Sequence, residues 1–237
     1  MANILVIAAH PDDETLGCGA AMAQHIKNGD EVSVLILGTG LASRDKNGKV
    51  NVDELANLRN DAHRALAKLG VKEKNMNFLD FRDNRFDSHD LLDIVKAIEN
   101  VVTEKKPQTV YTHHWGDMNI DHRITFNAVM TACRPMKNCS VLRVLCFEIL
   151  SSTEWNAQTA STAFMPNLYV DVTGTINKKL AALAEYHGEM RAYPHPRSIK
   201  GAEHLARTRG LTIETEAAEA FVIARMIERT NGKQTGK

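Results

Sequence analysis

The sequence has no excess of either charge and no long apolar run. Its 237 residues include 29 Lys and Arg and 29 Asp and Glu, so the formal net charge is zero. This balance disfavours a nucleic-acid-binding protein, which usually carries a basic excess, and it disfavours attachment to an anionic membrane surface. No apolar stretch approaches the ~20 residues of a membrane span, and the N-terminus has no signal-peptide pattern. We therefore expect a cytoplasmic protein with no nucleic-acid or membrane partner.

Cysteines are few and form no motif. The four cysteines, Cys18, Cys133, Cys139 and Cys146, include no C-x-x-C pair. Scattered thiols of this kind are typical of buried side chains in a reducing compartment. Internal repeats and low-complexity segments are also absent, and a chain of this length fits one large domain. We expect a single domain over residues 1–237, with a flexible polar tail at 230–237.

Short apolar runs alternate with helical patterns. Strand-like runs cover 3–9, 31–37, 77–80, 109–113, 141–147 and 168–171, and helical patterns cover 15–28, about 53–69, 88–104, 121–133 and 175–190. This alternation implies right-handed βαβ units, so we expect an α/β fold with a mostly parallel sheet flanked by helices. The pattern leaves residues 219–227 open between helix and strand. Irregular connections at 39–51, 148–166 and 191–201 are long enough to be functional loops.

A polar cluster follows the first strand directly. The run His10–Glu14, which reads His-Pro-Asp-Asp-Glu, lies between the apolar run 3–9 and the first helical pattern. Open α/β sheets place their ligand crevice at strand ends of this kind, and carboxylates near a helix N-terminus are favoured by the helix dipole. Three carboxylates in one turn are costly without a positive partner, so the sequence predicts a divalent metal here.

A second polar cluster follows the strand-like run 109–113. It contains His113, His114, Asp117, Asn119, Asp121 and His122. Two clusters at two strand ends of one sheet can converge on one crevice, so His10, Asp13 and His122 are predicted to ligate one ion. Two imidazoles and one carboxylate are a common catalytic zinc set, with a fourth position for water. Iron(II) accepts the same ligands, and Asp12 is placed to take a proton from that water.

The two clusters resemble a known signature. The run His10–Glu14 together with Asp121–His122 is similar to the signature of the LmbE-like, or PIG-L, family of metal-dependent de-N-acetylases. Further likeness at Ser151–Trp155, Pro194–Arg197 and Ala218–Phe221 extends it over most of the chain. The resemblance implies a Rossmann-like α/β fold, one zinc or iron ion, and removal of the acetyl group from an N-acetylglucosamine-type sugar, free or conjugated. It also implies a homo-oligomer and a strand at 219–227.

The resemblance assigns roles to individual residues. It implies His10, Asp13 and His122 as metal ligands and Asp12 as the general base. One position departs from the family pattern, because Asn119 stands where many members carry a histidine. An amide can hydrogen-bond an oxyanion but does not titrate near neutrality. We therefore expect Asp12 to return the proton to the leaving amine, with His195, His113 or His114 as alternative helpers.

The remaining site predictions concern orientation and substrate. Asp121 is expected to orient His122 or a neighbouring group from outside the ligand set. The predicted substrate-binding residues are Arg59, His114, His195 and Arg197. Arg85 is a further candidate, since a guanidinium fork suits hydroxyl, phosphate and carboxylate groups.

Two other classes fit parts of the sequence. Gly17 and Gly19 after the first strand suggest a dinucleotide-binding module, but Met22 occupies the place of the third glycine and acids crowd the pyrophosphate position. A metal-containing sugar-binding protein that has lost catalysis would keep the same ligands. It would show bound metal and sugar affinity without acetate release.

Overall fold

The computed structural model describes residues 1–40 and 52–229. Its strands are β1 (Asn3–Ala8), β2 (Glu31–Gly38), β3 (Met76–Phe81), β4 (Thr109–His113), β5 (Arg143–Phe147), β6 (Leu168–Asp171) and β7 (Ala218–Met226). Its helices are α1 (Asp13–Lys27), α2 (Val52–Leu69), α3 (Leu91–Lys105), α4 (Ile120–Ala132), α5 (Ile176–Leu183) and α6 (Ile199–Leu211).

All seven of these strands form one sheet in the order β3-β2-β1-β4-β5-β7-β6. The five strands β3, β2, β1, β4 and β5 run parallel to one another. Strand β7 is antiparallel to β5, and β6 is antiparallel to β7. The mostly parallel α/β sheet is therefore confirmed, and the ambiguous segment is a strand, as the resemblance implied.

The sheet is covered by helices on both faces. Alternate residues of β1 enter different cores: Ile4 and Val6 pack with α1, α2 and α5, whereas Leu5 and Ile7 pack with α3 and α4. Strands buried on both sides need apolar residues at successive positions. This is why β1 and β2 appear in the sequence as continuous apolar runs.

The order of the strands reverses at β1. This strand lies between β2 and β4, so the chain leaves β1 toward one edge and later returns to β4 on the other side. A crevice opens at the carboxyl ends of the strands on either side of such a switch point. The two polar clusters follow β1 and β4, and the topology makes them neighbours.

One helix prediction differs from the structure in the last third of the chain, and one helix there has no counterpart among the predictions. The helix predicted over 175–190 ends at Leu183, where the backbone tightens and Tyr186 N donates to Leu183 O. Tyr186 turns its side chain inward to Glu14, a tertiary contact that no local pattern reveals. Helix α6 was not predicted, although Ser198 caps its start by accepting from Gly201 N.

Some predictions fall on parts of the chain that the structure does not cover. The tail at 230–237 and most of the connection 39–51, residues 41–51, lie outside the described residues. The connection 148–166 consists of turns and irregular backbone, as predicted. Among the described helices, none combines the length and the apolar character that crossing a bilayer requires.

Candidate active site

His10, Asp13 and His122 meet at the switch point. His10 lies in the turn after β1, Asp13 begins α1, and His122 lies in the first turn of α4. Their ligand-type atoms lie within 4.8 Å of one another, and all three residues are buried. Asp13 Oδ2 is 3.4 Å from His10 Nδ1 and 3.2 Å from His122 Nε2. The structure thus brings together the three ligands predicted from two distant segments.

The donor set fits a divalent cation. Both ring nitrogens of His122 are buried and have no hydrogen-bond partner among the described residues, although Nε2 lies beside the Asp13 carboxylate and Nδ1 beside that of Asp117. A buried polar atom without a partner is costly, and a metal ion between these side chains would satisfy it. Two imidazole nitrogens and one carboxylate oxygen suit Zn²⁺ and also Fe²⁺.

Each ligand imidazole is held from its other nitrogen. His10 Nε2 lies 2.9 Å from Asp121 Oδ2, and the Asp121 carboxylate is itself fixed by the backbone N–H groups of Asn84 and Phe86. His122 Nδ1 lies 3.0 Å from Asp117 Oδ1. Carboxylates in such positions set the tautomer and the ring orientation of metal-binding histidines. Asp121 therefore orients His10, and Asp117 orients His122.

Asp117 is a residue to which the sequence reasoning gave no role. The hydroxyl groups of Ser152 and Thr153 both donate to its carboxylate. Burial alone would raise the pKa of Asp117, but the nearby charge of His122 and the hydrogen bonds from Ser152 and Thr153 hold that pKa well below its usual range. The available signal was its place in the second polar cluster.

The surrounding carboxylates raise the pKa of both imidazoles, which favours their protonated form when no metal is bound. Burial lowers the pKa of His10, but hydrogen bonds to Asp121 and Asp13 outweigh it and raise the pKa to about 10. Burial likewise lowers the pKa of His122, and the charges of Asp13 and Asp117 raise it to about 9. A metal ion would displace these protons, because its ligand nitrogens must be unprotonated.

Asp12 lies beside the ligands with an unusual backbone conformation. Its φ angle is 102°, a value that L side chains rarely adopt. Its N–H donates to Glu14 Oε2 at 3.0 Å, and its Oδ2 accepts from Arg197 Nη1 at 2.9 Å. Burial raises the pKa of Asp12, whereas the Arg197 charge opposes that rise. Backbone strain at a buried carboxylate is a feature of functional sites.

A cleft of about 100 Å³ opens above these residues. Asn119 lines it and caps α4, since its Oδ1 accepts from Asp121 N at 2.8 Å. The amide nitrogen of Asn119 is therefore the atom left to face a ligand. The cleft is also lined by Asp83, Asn84 and Glu189, none of which was predicted. Asp83 and Asn84 follow β3, so the strand-end rule would have found them.

His113 packs against the candidate metal ligand His122 and does not line the cleft. Its ring stacks on His122 with the centroids 3.9 Å apart. Its Nε2 accepts from Ala9 N at 2.9 Å, which ties the ends of β4 and β1 together. Burial lowers the pKa of His113, and the neighbouring His122 charge lowers it further. This neutral ring therefore supports His122.

Three predicted substrate residues are not among the described residues that line the cleft. Arg59 donates to Leu79 O and to the Asp80 carboxylate on β3. His114 is buried, and its Nδ1 accepts from Gly116 N. His195 Nδ1 accepts from Arg197 N at 3.1 Å, with its ring against Trp155. Their substrate roles stay predictions.

Arg197 does line the cleft, but its guanidinium is already engaged. It donates to Asp12 Oδ2 and, through Nε, to Ser151 Oγ at 3.0 Å. The positive charge of Arg197 therefore stabilises the ionised carboxylate of Asp12, the predicted base. Contact with substrate stays a prediction for this residue too.

Comparison with known sequences agrees with this geometry. The family model described as PIG-L: GlcNAc-PI de-N-acetylase matches residues 5–133. A protein of Escherichia coli K12 named uncharacterized deacetylase YaiS is 30% identical over 191 residues, which cover 78% of this chain and 90% of that protein.

Solved structures share the fold at low identity. The N,N'-diacetylchitobiose deacetylase of Pyrococcus horikoshii superposes with a TM-score of 0.73 at 19% identity, covering 94% of this chain and 84% of its own. The 4-carboxy-2-hydroxymuconate hydratase GalB of Pseudomonas putida superposes with a TM-score of 0.74 at 19% identity, covering 98% and 100%. These likenesses show the fold alone, which supports more than one chemistry. The family match over residues 5–133 and the relative at 30% identity show that the chain belongs to the PIG-L, or LmbE-like, family.

Proposed function

We propose that the protein is a metal-dependent hydrolase that removes the acetyl group from an N-acetylated amino sugar of the N-acetylglucosamine type, free or conjugated. The observation that carries this proposal is the buried group His10, Asp13 and His122 with Asp12 beside it. The family model that matches residues 5–133 is described as a GlcNAc-PI de-N-acetylase, which supports the substrate class.

The proposed cofactor is one divalent ion, with Zn²⁺ as the first choice and Fe²⁺ as the alternative. His10, Asp13 and His122 would hold it, and Asp121 and Asp117 would keep the two imidazoles in orientation. When bound, such an ion supplies a Lewis acid that polarises the acetyl carbonyl and acidifies water.

Asp12 carries the proton transfers in this proposal. Its carboxylate accepts the proton of the attacking water and later delivers it to the leaving amine. Arg197 and the Glu14 contact hold it in place. Asn119 does not titrate near neutrality, so its amide N–H serves the developing oxyanion as a donor. In this proposal Asp12 is the group that transfers protons and Asn119 is the fixed donor.

Metal content and acetate release, measured together on purified variants, test the proposal. His10→Ala should lose both bound metal and acetate release from N-acetyl sugars. Asp12→Asn should keep the metal and lose acetate release. His204→Ala, an exposed histidine of α6, is the matched control and should keep both. Full turnover by His10→Ala without metal would refute the scheme.

The alternative function gives a different result in the same assay. Bound metal and sugar affinity without acetate release in the unaltered protein would support a metal-containing sugar-binding protein that has lost catalysis.

Predictions about the surroundings of the protein rest on the sequence. We propose a small-molecule N-acetyl sugar or sugar conjugate as its partner. Three further points stay predictions: a cytoplasmic location, a homo-oligomeric state and a single domain over 1–237. Size-exclusion chromatography with light scattering measures the oligomeric state.

A further inference from the structure

Two buried charges lie apart from the candidate active site. Glu219 is a carboxylate within the apolar strand β7, and Lys179 lies on α5. The side chain of Lys179 is 5% exposed and that of Glu219 is 4% exposed, and Lys179 Nζ lies 2.6 Å from Glu219 Oε1. Because an apolar pair of similar volume often stabilises a fold as well as a buried ion pair does, these charges need a reason beyond packing.

The reason lies in a break of helix α1 at Cys18. The φ and ψ angles of this residue are −148° and 25°, which is outside the helical region. The break separates a first segment, 13–17, from a second segment, 19–27. In a regular helix, the N–H of Ala20 would donate to the carbonyl of Leu16. In this protein both of these groups bind side chains from other elements.

The ion pair supplies partners on both sides of the break. The Glu219 carboxylate accepts from Ala20 N at 3.2 Å and from Ala21 N at 2.7 Å. Lys179 Nζ donates to Leu16 O at 2.7 Å. Insertion of side chains between the amides and carbonyls of a helix is a known cause of a sharp bend. An apolar pair could not do this, because it offers neither donor nor acceptor.

The first segment connects the ion pair to the candidate active site. Leu16 accepts from Lys179 through its carbonyl, and the N–H of Leu16 donates to Asp12 O at 2.8 Å. One residue and two hydrogen bonds therefore link Lys179 to the backbone of the predicted base. The same segment begins with Asp13, whose carboxylate lies between the two candidate histidine ligands.

The first segment has no room to move toward the sheet. A Cβ at Gly17 would lie 2.4 Å from Cδ2 of Phe147, the last residue of β5. The Phe147 ring packs in turn against His113, with the centroids 4.9 Å apart. Close packing on this side means that a change at the break turns the segment along or away from the sheet.

We propose, on the basis of the proposed metal-dependent function, that Lys179 and Glu219 are positioning residues for the candidate metal ligands. By satisfying the backbone at the break, they fix the direction of the first segment and with it the side chains of Asp13 and Asp12. Without the pair, the amide and carbonyl groups at the break pair with each other as in a regular helix. The first segment then turns and carries Asp13 out of line with the two imidazoles.

A double variant removes the pair without leaving an unpaired buried charge. Lys179→Met retains most of the length of the side chain, and Glu219→Gln retains its shape and one acceptor oxygen. The control makes the same kinds of replacement, Arg209→Met with Glu148→Gln, in a second ion pair, whose two N–O distances are 2.8 Å. Chemical denaturation of the metal-free proteins measures the loss of stability in each.

Metal binding is the primary readout. Competition with a chromogenic chelator should show that Lys179→Met/Glu219→Gln binds Zn²⁺ about tenfold more weakly than the unaltered protein. Co²⁺ bound in place of zinc should show a changed visible absorption spectrum, because Asp13 has moved relative to the imidazoles. The control should bind both ions as the unaltered protein does, whatever its loss of stability. Equal losses of affinity in the two double variants, or no loss in the first, would overturn the proposal.

A single variant keeps the proposal testable if the double variant does not fold. Lys179→Met leaves the Glu219 carboxylate with both of its backbone donors and deletes the donor to Leu16 O. Its affinity for Zn²⁺ should fall by a smaller factor than in the double variant. An affinity equal to that of the unaltered protein would refute the positioning role.

Acetate release separates this proposal from the proposed function. At saturating metal, kcat of the double variant should fall by about tenfold while KM stays within about twofold, because Asp12 acts in the transition state. If the unaltered protein binds one equivalent of metal and releases no acetate, the proposed function fails and the Zn²⁺ affinities still decide the positioning role. If acetate is released and all variants bind Zn²⁺ equally, the positioning role fails and deacetylation stands.

Discussion

Arg197 is the cation that holds the predicted base, and its removal is the most informative single change outside the ligand set. Its Nη1 lies 2.9 Å from Asp12 Oδ2, with 20% of the Arg197 side chain and 2% of the Asp12 side chain exposed. Arg197→Met keeps most of the aliphatic packing and deletes the charge. The Asp12 carboxylate then stays buried near Asp13 and Glu189 without its cationic partner.

The size of the effect follows from the geometry. At this separation, Coulomb's law gives about 6 kcal/mol for an effective dielectric constant of ~20. The cost of desolvating both ions offsets part of this, and breaking buried pairs costs about 3–5 kcal/mol in practice. Because Arg197 is partly exposed, we expect the lower end, a loss of about 3 kcal/mol in the free energy of unfolding.

A double-mutant cycle measured by chemical denaturation isolates the pair. Arg197→Met, Asp12→Asn and the double variant should show a coupling of about 2–3 kcal/mol. Arg207→Met, which removes the exposed ion pairs of Arg207 with Glu203 and Glu216, should change the free energy of unfolding far less, because solvent screens such pairs. Additive effects of the two changes would refute the pairing. A raised KM with unchanged kcat in Arg197→Met would instead place the guanidinium on the substrate.

Three further changes test other parts of the site. Asn119→His should add an acid limb to the pH–rate profile of acetate release, and a profile without a new limb would count against the proposed place of residue 119 in the cleft. Burial lowers the pKa of His114 from 6.5 to about 4, so the unfolded chain takes up a proton first and stability should fall as pH drops from 6.5 to 4. His114→Asn keeps an acceptor for Gly116 N but removes the titrating ring. Between pH 6.5 and pH 4, chemical denaturation should show that this variant loses about 2 kcal/mol less unfolding free energy than the unaltered protein, after allowance for screening. Equal losses in the two proteins would contradict this. Tyr186→Phe deletes the hydroxyl that donates to Glu14 Oε1 at 2.5 Å and should cost about 2 kcal/mol of unfolding free energy, whereas a cost below about 0.5 kcal/mol would show that Glu14 does not depend on it.

The convergence of the three candidate metal ligands could be predicted because these residues stand directly after buried strands. His10 and Asp13 follow β1, and His122 follows β4 through a short polar segment. Parallel strands end on one edge of the sheet, so the sequence positions alone place these residues close together. The same reasoning applied to the end of β3 would have added Asp83.

The supporting contacts could not be predicted in the same way. Arg197 and Glu189 come from the irregular connection between α5 and α6, where no periodicity fixes the direction of a side chain. Helix α5 ends at Leu183, and three residues later the hydroxyl of Tyr186 donates to Glu14, a residue far away in sequence. The sequence predicts that Arg59 binds substrate, because its ion-pair partner Asp80 lies 21 positions away in sequence and only the fold brings the two side chains together.

Acetate release by metal-stripped protein during titration with Zn²⁺, or with Fe²⁺ under anaerobic conditions, tests the central claim most directly. If His10, Asp13 and His122 hold one catalytic cation, release from an N-acetyl sugar should be absent at first and should rise to a plateau near one equivalent of metal. Undiminished release from the stripped protein, or none from any N-acetyl sugar at full occupancy, would contradict it.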